Sequence, residues 1–214
     1  MRKKSIFVLV LIFGIMLNNC ETRPELIRAA QKNNKDQVKK LLDQGADPDT
    51  RSKYRLTPMM FAAKRGFLDI VKVLVENGAN VKATDGYGKT SLMYAVEEGR
   101  VKTAQYLLEK GAKLNHKNNE GWTPLLSAVY GAQPKAVKML IDSGANINAQ
   151  AKSGATPLIA ASYRENQELV KILLDAGAKL DIKDDDGETA LDIATRREAD
   201  SVATILKQEK MKQD

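Results

Sequence analysis

Residues 57–90 read TPMMFAAKRGFLDIVKVLVENGANVKATDGYGKT, and the pattern of this stretch returns along the chain at a fixed period. The threonine that opens the stretch recurs every 33 residues, at Thr57, Thr90, Thr123, Thr156 and Thr189. A period between 20 and 50 residues is the signature of a solenoid, in which each unit buries its core only against its neighbours. The period therefore predicts a repeat protein.

Each of these threonines is suited to begin a helix. A threonine side chain before the first turn can accept a hydrogen bond from an amide that the turn leaves unpaired. Proline at the first helical position loses nothing, because its missing N–H would have had no partner there. A proline follows the threonine in three copies, as Pro58, Pro124 and Pro157. The sequence predicts a helix after every threonine.

Apolar spacing predicts a second helix in each unit. Ile70, Val71 and Leu74 recur at helical intervals, which places them on one face turned to the core. Paired small residues in the preceding helix, such as Ala62 and Ala63, allow neighbouring helices to approach closely. Each second helix is expected to end before a glycine in the left-handed conformation. These glycines are Gly45, Gly78, Gly111, Gly144 and Gly177.

A unit of 33 residues with a turn, Thr-Pro-Leu, paired small residues and a terminal Gly-Ala resembles the ankyrin repeat. The resemblance extends from Pro24 to near Gln208, and spacing and identity agree in five consecutive copies. It implies an all-α solenoid of helix-turn-helix units joined by short β-hairpins or turns, with the terminal units acting as caps. The units are assigned to residues 24–49, 50–82, 83–115, 116–148, 149–181 and 182–208, followed by a polar tail at 209–214.

One position departs from the family pattern. The histidine that usually follows Thr-Pro-Leu is replaced in all five copies, by Met60, Met93, Leu126, Ile159 and Asp192. In the inner copies we expect apolar packing to replace the hydrogen bond that the histidine makes between repeats.

The N-terminal segment does not belong to the repeats. Arg2, Lys3 and Lys4 precede an apolar run from Ile6 to Leu17. A helix that crosses a bilayer of about 30 Å needs roughly 20 residues, so this run is too short to span one. A charged start and a short apolar run are typical of a signal peptide, which we assign to residues 1–19.

The only cysteine, Cys20, directly follows the apolar run and two asparagines. Leu17-Asn18-Asn19-Cys20 resembles a bacterial lipobox, which implies that a diacylglycerol is attached to the cysteine and that the mature chain begins there, with a linker over 20–23. Asn18 and Asn19 stand where this motif usually has small residues. An uncleaved signal anchor and a plain secretory signal, each leaving Cys20 as a free thiol, remain alternatives.

Composition places the repeats among ordinary soluble domains. Of 214 residues, 43% are hydrophobic and 29% are charged, a typical globular balance. The formal net charge is +7, and removal of the three N-terminal cations lowers it to +4. A nucleic-acid-binding domain is expected to carry a basic stripe. The sequence has none, so we expect no nucleic acid partner.

The chain carries few residues with which to build a catalytic site. Its one histidine, His116, lies in a predicted loop between repeats, and its one cysteine is predicted to be acylated. Neither a catalytic triad nor a histidine or cysteine metal cluster can be built from them. Asp184-Asp185-Asp186-Gly187 is similar to part of a calcium loop but lacks the later glutamate. We therefore predict no catalysis, no metal and no cofactor.

The ankyrin resemblance implies a concave groove for a protein partner. In this family the hairpin tips and the exposed ends of the first helices line that groove. The equivalent residues here are Tyr54, Lys64, Arg65, Tyr87, Lys89, Glu97, Glu98, Trp122, Tyr130, Tyr163 and Arg164. Five of the chain's seven Tyr and Trp residues belong to this set, and such side chains anchor interfaces well. For Trp122, bracing of the hairpin is an equal alternative.

These features predict a membrane-anchored lipoprotein of the bacterial cell envelope, periplasmic or on the outer surface. It would act as a monomeric, non-catalytic module that binds another protein. Two alternatives remain open: a secreted effector that binds host proteins, and a periplasmic protective factor that supports an envelope enzyme under stress.

Overall fold

The computed structural model describes residues 25–213, and this part of the chain contains twelve α-helices. The first, α1, covers 25–31. The others are α2 (Lys35–Asp43), α3 (Pro58–Arg65), α4 (Leu68–Glu76), α5 (Ser91–Glu97), α6 (Val101–Glu109), α7 (Pro124–Tyr130), α8 (Pro134–Asp142), α9 (Pro157–Tyr163), α10 (Gln167–Asp175), α11 (Ala190–Arg196) and α12 (Asp200–Gln213). They follow one another in pairs, so the predicted all-α repeat architecture is confirmed.

Capping geometry confirms the predicted helix starts. Thr57 has an extended backbone, and its Oγ1 accepts a hydrogen bond from the Met60 amide at 3.3 Å. The same bond, from the amide three residues after the threonine, begins α5, α7, α9 and α11. A cap of this kind stabilises a helix by about 1 kcal/mol.

The ends of the second helices also agree with the sequence. The five glycines expected there have φ values between +84° and +87°. At Gly78, no heavy atom lies within 4 Å of the place that a Cβ would take. The backbone conformation, and not crowding, therefore favours glycine at this position.

A second left-handed residue joins the two helices of each unit. Gly66 and Gly99 hold this position with φ of +77° and +66°. In the following units Ala132 and Glu165 hold it with φ of +53° and +56°, although a side chain in this conformation costs about 1–2 kcal/mol. The backbone is thus equivalent in successive units while the side chain differs.

The helices form two layers. The first helices of successive units pack in the order α3, α5, α7, α9 and α11, and the second helices α2, α4, α6, α8, α10 and α12 pack outside them. The first helices contact one another more extensively than the second helices do, and we call the side formed by the first helices and the turns the concave surface. One continuous core extends from Leu26 to Leu206. Met60 and Met93 are fully buried, as expected from apolar packing in place of the family histidine.

The turns between units are tied to one another through the backbone. The Gly86 amide donates to the Tyr54 carbonyl at 3.3 Å, and the Asn119 amide donates to the Tyr87 carbonyl at 3.0 Å. The same link joins Lys152 to Glu120 and Asp185 to Ser153. Between residues 25 and 213 the only isolated β-bridge pairs Thr84 with Thr90. The segments that connect the units are therefore turns, and these turns stack in a row.

None of the helices within residues 25–213 combines the length and apolar character needed to cross a membrane. The predicted signal peptide and the predicted lipidation site Cys20 lie outside the described residues.

Candidate functional site

The predicted surface is built from two kinds of element. The turns carry Tyr54, Tyr87 and Trp122 at or near their tips. The last residues of the first helices and the residues directly after them carry Lys64, Arg65, Glu97, Glu98, Tyr130, Tyr163 and Arg164. Since the turns stack in a row and the first helices form one layer, the structure brings these residues onto one continuous side of the array.

A recurring contact links the helix ends of neighbouring repeats. The residue directly after one first helix contacts a residue at the end of the preceding first helix. The Glu98 carboxylate lies 3.7 Å from Lys64 Nζ. The guanidinium of Arg164 lies over the Tyr130 ring at 4.8 Å, and that of Arg197 lies over the Tyr163 ring at 4.4 Å. The contact in the N-terminal part of this row is thus an exposed ion pair, and the contacts in the C-terminal part are cation–π contacts.

Gly131 occupies the same row without a side chain. A Cβ built on Gly131 would lie 2.0 Å from the Glu97 carbonyl oxygen, so the backbones of α5 and α7 approach closely there. The result is a bare position in the row between Glu98 and Arg164, beside the exposed Tyr130 ring.

Trp122 and Tyr130 form an aromatic pair within one repeat. Their ring centroids are 4.9 Å apart with an interplanar angle of 61°, an edge-to-face arrangement. Such a pair contributes about 0.5–1.5 kcal/mol beyond the burial of its area. Trp122 is half-buried, and its ring packs against the more exposed Tyr130 ring at the end of α7.

Tyr54 and Tyr87 project from the turn tips. Both rings are exposed, whereas the backbone beneath Tyr87 is fixed, because its amide donates to Asp85 Oδ1 at 2.8 Å. The aromatic ring is thus presented to solvent from a turn whose conformation is held.

Sequence reasoning missed a polar cluster under the turn that carries Tyr87. Asp85 is buried; its Oδ1 accepts from the Tyr87 and Lys89 amides, and its Oδ2 accepts from the Tyr94 hydroxyl at 2.6 Å. Burial, together with this hydrogen bond to the carboxylate, raises the pKa of Tyr94 above its ordinary value. A signal was present in the sequence, because Tyr94 is the only tyrosine at the fourth position after a capping threonine. The other units have Phe61, Ser127, Ala160 and Ile193 there.

Two predicted site residues pair with each other beside this cluster. Lys89 Nζ forms an ion pair with Glu97 and lies 4.6 Å from the centroid of the Tyr94 ring. Lys89 and Glu97 therefore help to hold this turn against α5, and a partner would meet them as a neutral pair.

Most acids of the surface have a cation in contact. Besides Glu97 and Glu98, Glu165 Oε1 accepts from Arg197 at 2.9 Å, and Glu188 makes a two-bond contact with Arg196 at 2.8 Å. Among residues 25–213, no carboxylate lies within salt-bridge distance of Arg164, which is held by the Tyr130 ring.

The acids at 184–186 and the only histidine lie in turns between repeats. Between residues 25 and 213, no group of three or more His, Cys, Asp or Glu side chains is placed to hold a metal ion. Asp184 Oδ1 accepts from the Asp186 and Glu188 amides, so it closes its own turn. His116 Nε2 lies 2.8 Å from the Gly88 carbonyl oxygen, in a turn between repeats.

A large depression lies away from the concave surface. It has a volume of about 720 Å³ at the C-terminal end of the array, with Leu180, Leu191, Leu206 and Lys210 in its wall. None of the predicted site residues lines it. Its wall mixes these leucines with charged side chains such as Lys183 and Glu209.

The comparisons with known proteins agree with this architecture. A family model described as ankyrin repeats (3 copies) matches residues 26–118 and 125–214. A search of curated proteins gave no significant match. The family match covers most of the chain, and the structure supplies the paired helices, capping threonines and stacked turns of such repeats, so this chain belongs to the ankyrin repeat family.

Proposed function

We propose that this protein is a lipid-anchored protein-binding module of the bacterial cell envelope, with no catalysis of its own. Ankyrin repeats form protein–protein interaction modules. The anchoring and the location in the envelope rest on the N-terminal sequence, and the choice of surface rests on the distribution of exposed aromatic side chains.

The observation that carries the choice of surface is the position of the large exposed hydrophobic residues. In the described part of the chain these are Tyr54, Tyr87, Tyr130, Tyr163 and Met211. All four tyrosines lie on the concave side, with exposures from 47% to 67%, whereas Met211 lies near the end of α12. Exposed aromatic side chains in a row support a protein interface, because tyrosine buries a large area with few rotatable bonds.

The tyrosines near the C-terminal end are also held in place before any partner arrives. Arg164 and Arg197 lie over the Tyr130 and Tyr163 rings, and Trp122 meets Tyr130 edge-on. Side chains that are already ordered lose less conformational entropy on binding. This favours a surface built for recognition over a merely solvated one.

The anchor is proposed from Cys20 and the segment before it. Each buried methylene of an acyl chain contributes about 0.8 kcal/mol, so two or three chains on one residue give persistent membrane attachment. Only residues 21–24 separate Cys20 from the first described helical residue. The five residue steps from Cys20 to Glu25 span at most about 18 Å, so the first repeat would lie close to the membrane surface.

Site-specific photo-crosslinking tests the surface. A photoreactive phenylalanine analogue is placed at Tyr87 or Tyr163, and at the exposed Lys138 of α8 as the control on the opposite layer. In cells, the concave positions are expected to yield a common crosslinked protein that Lys138 does not yield. Crosslinking of the same protein from Lys138 with equal yield would contradict the proposed surface.

Metabolic labelling tests the anchor. Radiolabelled palmitate is expected to enter the wild-type protein and not a Cys20→Ala variant, and only the wild type should remain with membranes after a high-salt wash. Equal labelling of both proteins would rule out Cys20 as the acylated residue. Recovery of the wild type from the cytosol of a host cell would favour the effector alternative.

A further inference from the structure

The C-terminal half of the concave surface contains one arrangement twice, with a carboxylate in one copy only. In the complete copy, the Arg197 guanidinium lies over the Tyr163 ring at 4.4 Å, and its Nη2 donates to Glu165 Oε1 at 2.9 Å. The guanidinium thus contacts an aromatic ring, and one of its N–H groups donates to the acid. Such planar donor forks match a carboxylate well.

One repeat earlier the acid is missing. Arg164 lies over the Tyr130 ring at 4.8 Å, and the residue equivalent to Glu165 is Ala132. Ala132 and Glu165 have nearly the same left-handed backbone, with φ of +53° and +56°. Within residues 25–213, no carboxylate lies within salt-bridge distance of Arg164. The guanidinium is therefore positioned as in the complete copy, and the place of the carboxylate is open.

The surroundings of Arg164 offer apolar contact beside this open place. Tyr130 is about half-exposed, Trp122 packs edge-on against it, and Gly131 adds no side chain to the row. A bound side chain could therefore rest on the two rings while its neighbour reaches Arg164. An aromatic face next to a fixed guanidinium suits a short segment with an apolar residue beside an acid.

The charges beside Arg164 favour the same kind of ligand. At the ends of the first helices and in the residues that follow them, the acids Glu97, Glu98 and Glu165 each have a cation of this chain in contact, whereas Arg65 and Arg164 have no acid within salt-bridge distance in the described structure. The turn tips carry both signs without such a contact, at Lys53, Lys152, Glu120, Asp185 and Asp186. Charge complementarity next to Arg164 therefore favours an acidic group.

We propose that Arg164 binds a carboxylate of an acidic protein segment in the place that Glu165 occupies for Arg197, with an adjacent apolar side chain on Tyr130 and Trp122. This inference rests on the proposed protein-binding function and names the chemistry of the partner. The repeat itself suggests the decisive variant, because Ala132→Glu supplies the missing acid from within the chain.

The test uses a library of random short peptides displayed on phage and selected against the full mature chain. Selected peptides are synthesised, and their dissociation constants are measured for the wild type and for Ala132→Glu, Ala132→Gln and Arg164→Gln. Ala132→Gln places a side chain of nearly the same size as glutamate on the same left-handed backbone but without charge, so it is the matched control. Thermal unfolding of each variant confirms that it is folded.

The selected peptides are expected to contain an Asp or Glu next to an apolar residue. Ala132→Glu and Arg164→Gln should each weaken binding about 10- to 100-fold, the range for loss of a hydrogen bond to a charged group, and Ala132→Gln should change it by less than about threefold. Replacement of the peptide's acid by its amide should weaken binding to the wild type and have little effect on Arg164→Gln.

Other outcomes separate the two proposals. If Ala132→Glu and Arg164→Gln leave binding unchanged while Tyr54→Ala, Tyr87→Ala or Tyr163→Ala weakens it, the carboxylate site is wrong and the concave surface stands. If none of these variants affects the selected peptides, both proposals are overturned. A peptide with phosphoserine in place of the acid that binds more than tenfold tighter would replace the carboxylate assignment by a phosphate site.

Discussion

Among single residues, Tyr94 donates its phenolic hydroxyl to a buried carboxylate and carries a lysine over its ring. Asp85 accepts three hydrogen bonds, two of them from the backbone of the turn that presents Tyr87. The hydroxyl of Tyr94 therefore belongs to the support of an exposed aromatic tip. Burial and the neighbouring carboxylate raise its pKa, which makes this support dependent on pH.

Tyr94→Phe is expected to lower the free energy of unfolding by about 1–2 kcal/mol at neutral pH, because Asp85 Oδ2 loses its donor. The pH dependence has a definite sign. The unfolded tyrosine ionises near its ordinary pKa of about 10, while the folded one keeps its proton, so stability falls as pH rises above about 10. Urea unfolding at pH 8 and pH 11 should show a smaller decline for Tyr94→Phe than for the wild type. An equal decline in both proteins would mean that Tyr94 does not contribute to it.

Single residues also mark where sequence reasoning reaches its limit. The capping threonines could be predicted because a cap is local: acceptor and donor lie close together along the chain. The concave residues could be assigned to one side because the period fixes their positions. The contacts of Arg164 and Arg197 could not be predicted, since each reaches a ring of the preceding repeat and depends on how two repeats pack. The repeat pattern marks Tyr94 as an exception at its position, but the pattern does not show that its hydroxyl reaches Asp85 across the turn.

At the scale of elements, the close approach of α5 and α7 depends on Gly131. Its φ of −70° is ordinary for any residue, so backbone freedom does not explain the glycine. The reason is space, because an added Cβ would lie 2.0 Å from the Glu97 carbonyl oxygen. Gly78 is the opposite case, with a left-handed backbone and open surroundings.

Gly131→Ala should therefore separate α5 from α7 and lower the free energy of unfolding by about 1–3 kcal/mol, the usual cost of overpacking. Gly78→Ala is the matched control. It should lower the free energy of unfolding by about 1 kcal/mol, because alanine is strained in the left-handed conformation. Urea unfolding measures both. Backbone amide chemical shifts add a second readout, since only Gly131→Ala should move signals around Glu97. Signals that stay in place there would show that the helices do not touch at this position.

For the whole molecule, each repeat touches only its neighbours, so stability is a sum of local terms along the array. Leu140 in α8 and Leu206 in α12 are both fully buried. Replacement of either leucine by alanine should lower the local free energy of unfolding by about 2–5 kcal/mol. Their consequences should differ, because Leu206 lies in the last pair of helices and Leu140 has packed repeats on both sides.

Hydrogen exchange read by mass spectrometry distinguishes the two cases. Leu206→Ala should remove protection mainly from α11 and α12 and leave α3 to α9 protected. Leu140→Ala should lower protection across the central repeats. Uniform loss of protection in both variants would mean that the array unfolds as a single cooperative unit.

The row of contacts between helix ends has a consequence for how the protein can change by gain or loss of whole repeats. Each contact joins a side chain of one unit to a side chain of the unit before it, so the chemistry at a junction belongs to neither unit alone. Removal of residues 116–148 would place Arg164 against Glu97 in place of Tyr130, turning a cation–π contact into an ion pair. Arg164 would then share the Glu97 carboxylate with Lys89, so one recombination event would fill the open place beside the guanidinium without changing any remaining residue.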